Sequence, residues 1–137
     1  MGIRYESGIA GVSWERIAGL IEAVGWPARP LDSLQQAFAN SSWVRIAYHG
    51  DTVVGFGRTA DDGMYYGMVV DLVVDPRYQR RGIGSEILRQ LREEMERRGL
   101  SIISLVAARG SEGFYHRAGW KRSQSAFHWS RKRGGSS

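Results

Sequence analysis

The sequence predicts one α/β domain with elements in the order β-α-α-β-β-β-α-β-α-β. Three observations carry that prediction. Val69, Val70, Leu72, Val73 and Val74 form an apolar, β-branched run bounded by Gly67 and by Asp75-Pro76, as in a strand buried on both faces. Beyond Gly82 the period changes: Ile83, Ile87, Leu88, Leu91 and Met95 recur three or four residues apart, with charges between them, which makes one amphipathic helix. Finally, 137 residues with 42% hydrophobic and 24% charged content suit a single globule with its own core. Residues 1–130 are read as that domain and the basic Gly/Ser stretch 131–137 as a disordered tail.

Ile3 to Glu6 predicts a short first strand. Trp14, Ile17, Ala18, Ile21 and Val24 share one helical face, and Ser13 is a suitable N-cap. Gly25-Trp26-Pro27-Ala28-Arg29-Pro30 ends this helix, because neither proline can continue it. A second helix runs from Leu31 or Asp32 to about Asn40, with Leu34, Ala37 and Phe38 inward. Trp43 to His49 and Thr52 to Thr59 read as strands joined by a Gly50-Asp51 hairpin turn. Asp61-Asp62-Gly63 turns the chain, and Met64, Tyr65 and Tyr66 lead into the apolar strand. The long helix stops at Gly99, a good left-handed terminator. Ile102 to Val106 is the next strand, 107–110 a loop, Glu112 to Ala118 a short helix closed by Gly119. The alternation of Ser125, Phe127 and Trp129 makes Gln124 to Arg131 a last strand.

Composition narrows the chemistry. The chain has no cysteine, which removes disulfides, thiolate metal sites and a cysteine nucleophile. Three histidines, His49, His116 and His128, stand far apart without metal-ligand spacing, so no metal is expected. No apolar run approaches a membrane span and no signal-peptide pattern opens the chain, so a cytoplasmic protein without a membrane partner is expected. The formal charge is +5, and many arginines lie between Arg77 and Arg98. That placement assigns the excess mainly to an anionic small molecule instead of nucleic acid.

Between apolar strand and long helix lies Gln79-Arg80-Arg81-Gly82-Ile83-Gly84-Ser85. Its glycines allow close backbone approach, and the unpaired amides and positive dipole end of the helix, with Arg77, Arg80 and Arg81, suit phosphate groups. No Lys-Ser/Thr follows the glycines and no third glycine completes a dinucleotide fingerprint. The order Q-x-x-G-x-G after a strand ending V-x-P resembles motif A of the GNAT superfamily of acetyl-CoA-dependent N-acetyltransferases. The resemblance implies a mixed, mostly antiparallel sheet that opens into a V. It also implies that Gln79, Arg80, Arg81, Gly82, Ile83, Gly84 and Ser85 hold the coenzyme's pyrophosphate, and that the pantetheine arm lies along Leu72, Val73 and Val74.

Acetyl transfer to an amine needs a neutral amine, a stabilised oxyanion and a proton for the departing thiolate. Gly113-Phe114-Tyr115-His116-Arg117-Ala118-Gly119-Trp120 resembles the second GNAT signature, F-Y-x-x-x-G-F, which implies that Tyr115 is the general acid. The alternative for Phe114 and Tyr115 is packing of a short helix. The asparagine that often precedes this signature is absent; Arg109 and Ser111 are the polar residues there. Asp71 interrupts the apolar strand, and a buried carboxylate is costly unless paired or used. It serves as base, as ammonium binder, or as half of a salt bridge with one of the arginines. His116 is the weaker candidate base, since helical neighbours point about 100° apart.

Taken together, V-G-W-P-A-R-P, G-F-G-R-T-A-D-D-G, D-L-V-V-D-P-R-Y-Q-R-R-G-I-G and G-F-Y-H-R-A-G-W resemble the plant chloroplast acetyltransferases of serotonin, related arylalkylamines and protein lysines. This implies a small arylalkylamine acceptor, with a protein lysine or N-terminus, or a non-catalytic acyl-CoA-binding regulator, as alternatives. Trp26 and Tyr65, beside turns, are the candidate contacts for an aromatic ring. Family habit implies a homodimer.

Overall fold

The computed structural model describes residues 2–131. They fall into two compact units divided between Val106 and Ala107. The first contains β1 (Arg4–Glu6), α1 (Trp14–Ala23), α2 (Leu31–Asn40), β2 (Val44–His49), β3 (Thr52–Asp61), β4 (Tyr66–Val74), a 3-10 turn (Pro76–Tyr78), α3 (Ile83–Arg98) and β5 (Ile102–Leu105). The second contains α4 (Glu112–Arg117).

The five strands form one sheet in the order β1-β2-β3-β4-β5. The first three pairings are antiparallel and β4–β5 is parallel, which requires the crossover that α3 supplies. One face of the sheet carries α1 and α2: Ile17, Leu20, Ile21, Leu34 and Phe38 pack with Phe56 and Val73 in one cluster. The other face carries α3, whose Ile83, Ile87, Leu88, Leu91 and Met95 are all buried. Glycines let α3 come close. A Cβ on Gly57 would meet Ile87 Cγ2 at 3.0 Å, and one on Gly67 would meet Leu100 Cδ2 at 2.7 Å and overlap the Met95 sulfur.

Two irregularities shape β4. Phe56 pairs with Val73 and Arg58 with Val70, so Gly57 faces both Asp71 and Leu72 across a β-bulge. Asp71 takes a left-handed φ of 53°, which aspartate tolerates better than most residues. β5 pairs only with Tyr66 to Val69. From Val70 onward the β5-side edge of β4 has no strand beside it among the described residues, which is the opening expected of a V-shaped sheet.

The expected elements form as far as α4, with β3 reaching Asp61 and β4 starting at Tyr66. The strand expected over Gln124 to Arg131 does not form: residues 121–131 are neither helix nor strand, and Phe127 and Trp129 are almost fully exposed. Alternation supplies a face for burial, but a strand also needs a neighbouring backbone for its amides and carbonyls. The expected tail, 131–137, lies outside the described residues apart from Arg131.

Candidate active site

The loop between β4 and α3 is built from below. Asp75, 3% exposed, caps the 3-10 turn by accepting from Arg77 N at 2.9 Å, and its other oxygen takes the Arg16 guanidinium at 2.7 Å. Arg16 also donates to the carbonyl of Val53 at 2.9 Å, tying α1 to β3 and to the loop. Burial pushes the Asp75 carboxyl up, but the Arg77 amide and Arg16 outweigh it and hold the pKa below the ordinary value. Tyr78 shares a hydrogen bond with His49 Nδ1 at 2.8 Å, and the Arg81 guanidinium lies 5.3 Å from its ring centre. Gln79 donates its side-chain amide to the carbonyl of Val74 at 3.1 Å, folding the loop back on the strand end.

Arg80 (φ 65°) and Gly82 (φ 82°) are both left-handed, and Gly82 is the N-cap of α3. Its carbonyl receives the first helical bond, from Glu86 N at 3.0 Å, so the amides of Ile83, Gly84 and Ser85 precede the helical ladder. With nothing within 4 Å of a Cβ on Gly82, the cradle is open to a ligand. The residues present therefore fit a pyrophosphate. On α3 itself, Arg89 is paired with Glu86 and Glu93, Arg92 with Glu96, and Arg97 with Glu94. Arg89, Arg92 and Arg97 are thus offset by helix glutamates, Arg98 donates to the carbonyl of Gly63 at 3.0 Å, and Arg77, Arg80 and Arg81 stand on the loop itself, beside the positive end of α3.

On the opposite face, at the bulge, stands Asp71. Its side chain is 8% exposed and is gripped by two guanidinium groups. Arg29, from the loop joining α1 and α2, donates Nη1 to Oδ2 at 2.9 Å and Nη2 to Oδ1 at 3.0 Å; Arg58, on β3, donates Nε to Oδ2 at 2.8 Å. Burial raises the Asp71 carboxyl, but the two arginines more than cancel it, and the pKa is lowered. Of the roles open from sequence, the salt bridge is the one the geometry displays. Trp26 belongs to the same group: Arg29 lies 5.9 Å from its ring centre. Tyr65 does not. It is 61% exposed just before β4, accepting from Ser101 N and Ile102 N, six residues and about 20 Å of strand from Asp71.

In the second unit, α4 holds Tyr115 half-buried with its ring 5.0 Å from that of Phe114, edge to face. Burial pushes its phenol above the ordinary tyrosine value, so it is protonated at neutral pH. Trp120 N donates to the carbonyl of Tyr115 at 3.0 Å, closing the helix after Gly119. Ser111 Oγ donates to the carbonyl of Ala108 at 2.5 Å, and His116 is exposed. Among the described residues no group of three or more His, Asp or Glu is placed to hold a metal, and no helix is long and apolar enough to cross a membrane.

Sequence reasoning did not single out Arg29 or Arg58. Arg58 carried a readable signal, since it interrupts an apolar strand as Asp71 interrupts the next one. Arg29, between two prolines, carried none.

A GNAT-family acetyltransferase from Streptococcus pneumoniae TIGR4 superposes with a TM-score of 0.77 at 28% identity, covering 96% of this chain and all of that one. Serotonin N-acetyltransferase 2, chloroplastic, from Oryza sativa subsp. japonica is 32% identical over 101 residues, 71% of this chain and 50% of that protein. Histone acetyltransferase TAP1 from Glycine max is 29% identical over 116 residues, 77% of this chain and 50% of that protein. The chain thus spans about half the length of these two plant relatives. The sequence model of the Acetyltransferase (GNAT) family matches residues 12–120. With that match over most of its length and the fold already described, the chain belongs to the GNAT family of acetyl-CoA-dependent N-acetyltransferases.

Proposed function

We propose that the chain transfers the acetyl group of acetyl-CoA, by direct attack, to the primary amine of a small arylalkylamine. Acetyl-CoA, when bound, supplies the acetyl group activated as a thioester. The amides of Ile83, Gly84 and Ser85 and the arginines of the loop hold its pyrophosphate, and the open edge from Leu72 to Val74 holds the pantetheine arm as an added strand would. The phenol of Tyr115 gives its proton to the departing sulfur. Trp26 stacks on the acceptor ring. Asp71, kept anionic by two arginines, orders the acceptor side; its lowered pKa makes it a weak base, so the ammonium proton leaves through water.

The observation that carries the aromatic acceptor is Trp26, half-buried on the α1–α2 loop beside the Asp71 cluster. Likeness to the rice serotonin N-acetyltransferase supports the same reading, and likeness to the soybean histone acetyltransferase supports a protein lysine as the second one. The reading includes a homodimer, on family habit, and a cytosolic or plastid compartment, the latter from the chloroplast location in the rice protein's name. Release of CoA thiol is measured against tryptamine, serotonin, phenylethylamine and a lysine peptide. Saturable turnover on the aryl amines, well above that on the peptide, is expected; turnover on the peptide alone replaces the small-molecule reading by protein acetylation.

A further inference from the structure

The Asp71 cluster does not balance. One carboxylate meets two guanidinium groups: among the described residues, Arg29 and Arg58 both form their ion pair with Asp71, at 2.9 and 2.8 Å, and neither has a second carboxylate within ion-pair distance. The two arginines are also unequally placed. Arg58, 17% exposed, is fixed beneath: its Nη1 donates to Ser41 Oγ at 3.3 Å and to the carbonyl of Ala37 at 3.5 Å, and its guanidinium lies 5.7 Å from the Phe38 ring centre. Arg29 is 36% exposed and stands between Asp71 and Trp26. Solvent at this site therefore meets the Arg29 guanidinium beside the partly buried Trp26, which packs against the core, while the carboxylate is covered.

The cluster lies on the face of β3 and β4 that bears α1 and α2. Gly55 and Gly57 turn toward α3, whereas Phe56 packs on Phe38 of α2, and Arg58 shares the side of Phe56. Since the phosphate loop belongs to α3, the α1–α2 side of the parted strands is left for the acceptor. A bare ammonium approaching there meets two guanidinium groups for one carboxylate, whose Oδ2 already accepts from both arginines and whose Oδ1 accepts from Arg29.

We propose that Arg29 determines acceptor specificity by binding an anion: the preferred acceptor is a primary amine that carries a carboxylate along with its aromatic body, as an aromatic amino acid does. This rests on the acceptor-side reading above and narrows it, within arylalkyl amines, to those that keep an acidic group. Arg29 remains on Asp71 by one edge and offers Nε and its exposed flank to the incoming carboxylate, while Trp26 receives the ring.

The test compares matched acceptors, tryptophan with tryptamine and phenylalanine with phenylethylamine, at saturating acetyl-CoA. The wild-type chain should favour the carboxylate-bearing member of each pair at least tenfold in kcat/KM, with the margin shrinking as salt is raised. Arg29→Gln should raise KM for tryptophan about tenfold, leave or lower KM for tryptamine, and leave KM for acetyl-CoA unchanged; Arg29→Lys should restore part of the loss. A purely structural Arg29 would instead lower activity on both members alike. Calorimetric binding of indole-3-acetate against indole gives a readout independent of turnover: the wild-type chain should bind the acid more tightly and Arg29→Gln should lose that preference. Preference of the wild-type enzyme for the bare amines, or equal binding of the two indoles, overturns the proposal while leaving acetyl transfer intact. Absence of turnover on every amine, with selective binding of the acid retained, overturns the arylalkylamine reading and supports the anion site.

Discussion

At the scale of single residues the structure separates groups that keep a proton from groups that never hold one. Asp71 and Asp75 are both pressed by burial toward neutrality and both held anionic by arginines, so neither is suited to shuttle protons at neutral pH. Tyr115 is the reverse: burial keeps its phenol protonated beyond the ordinary tyrosine value. Activity that depends on the protonated phenol should hold on the alkaline side and fall only above about pH 10, the unperturbed tyrosine value. Tyr115→Phe should lower kcat by about a hundredfold or more, with KM for acetyl-CoA nearly unchanged, and should erase that alkaline limb. Equal losses in kcat and in coenzyme affinity would remove Tyr115 from the acid role.

Element by element, the site is made by departures from regular structure. α3 begins at a left-handed glycine, with its leading amides ahead of the helical ladder; β4 bulges at Asp71 and so turns its carboxylate to Arg29 and Arg58; β5 is short and so, among the described residues, leaves the β5-side edge of β4 from Val70 to Val74 without a pairing strand. These depend on α3 seating closely on the sheet, and the glycines on β3 and β4 allow that. Gly67→Ala would drive a methyl group into Met95 and Leu100, both buried, and should destabilise the fold by about 1–3 kcal/mol, read as a lowered midpoint of urea unfolding. An unchanged midpoint would mean that Met95 finds a second rotamer at no cost. The elements themselves were legible from local pattern: the apolar run at Val69, the helical period from Ile83 and the Gly50-Asp51 turn each report burial or turn chemistry directly. The bulge and the ion pairs were not. A bulge depends on the register between two strands, and the partner of a buried carboxylate depends on which distant loop folds over it, neither of which a single stretch records. The mistaken strand at Gln124 to Arg131 has the same origin, since alternation says nothing of a pairing backbone.

For the whole molecule, we propose that two functions are divided between the faces of one sheet. The α3 face carries the leading amides of that helix and the arginine-bearing loop, which we assign to the phosphates, and the α1–α2 face carries Trp26 and the Asp71 cluster, which we assign to the acceptor. The chain has no cysteine to take the acetyl group first, so the account requires both substrates together before transfer. Initial velocity with acetyl-CoA and an aryl amine acceptor varied against each other tests this most directly. Reciprocal plots that intersect, showing both substrates bound at once, are the predicted result; parallel lines, the pattern of an acetylated enzyme, would contradict it.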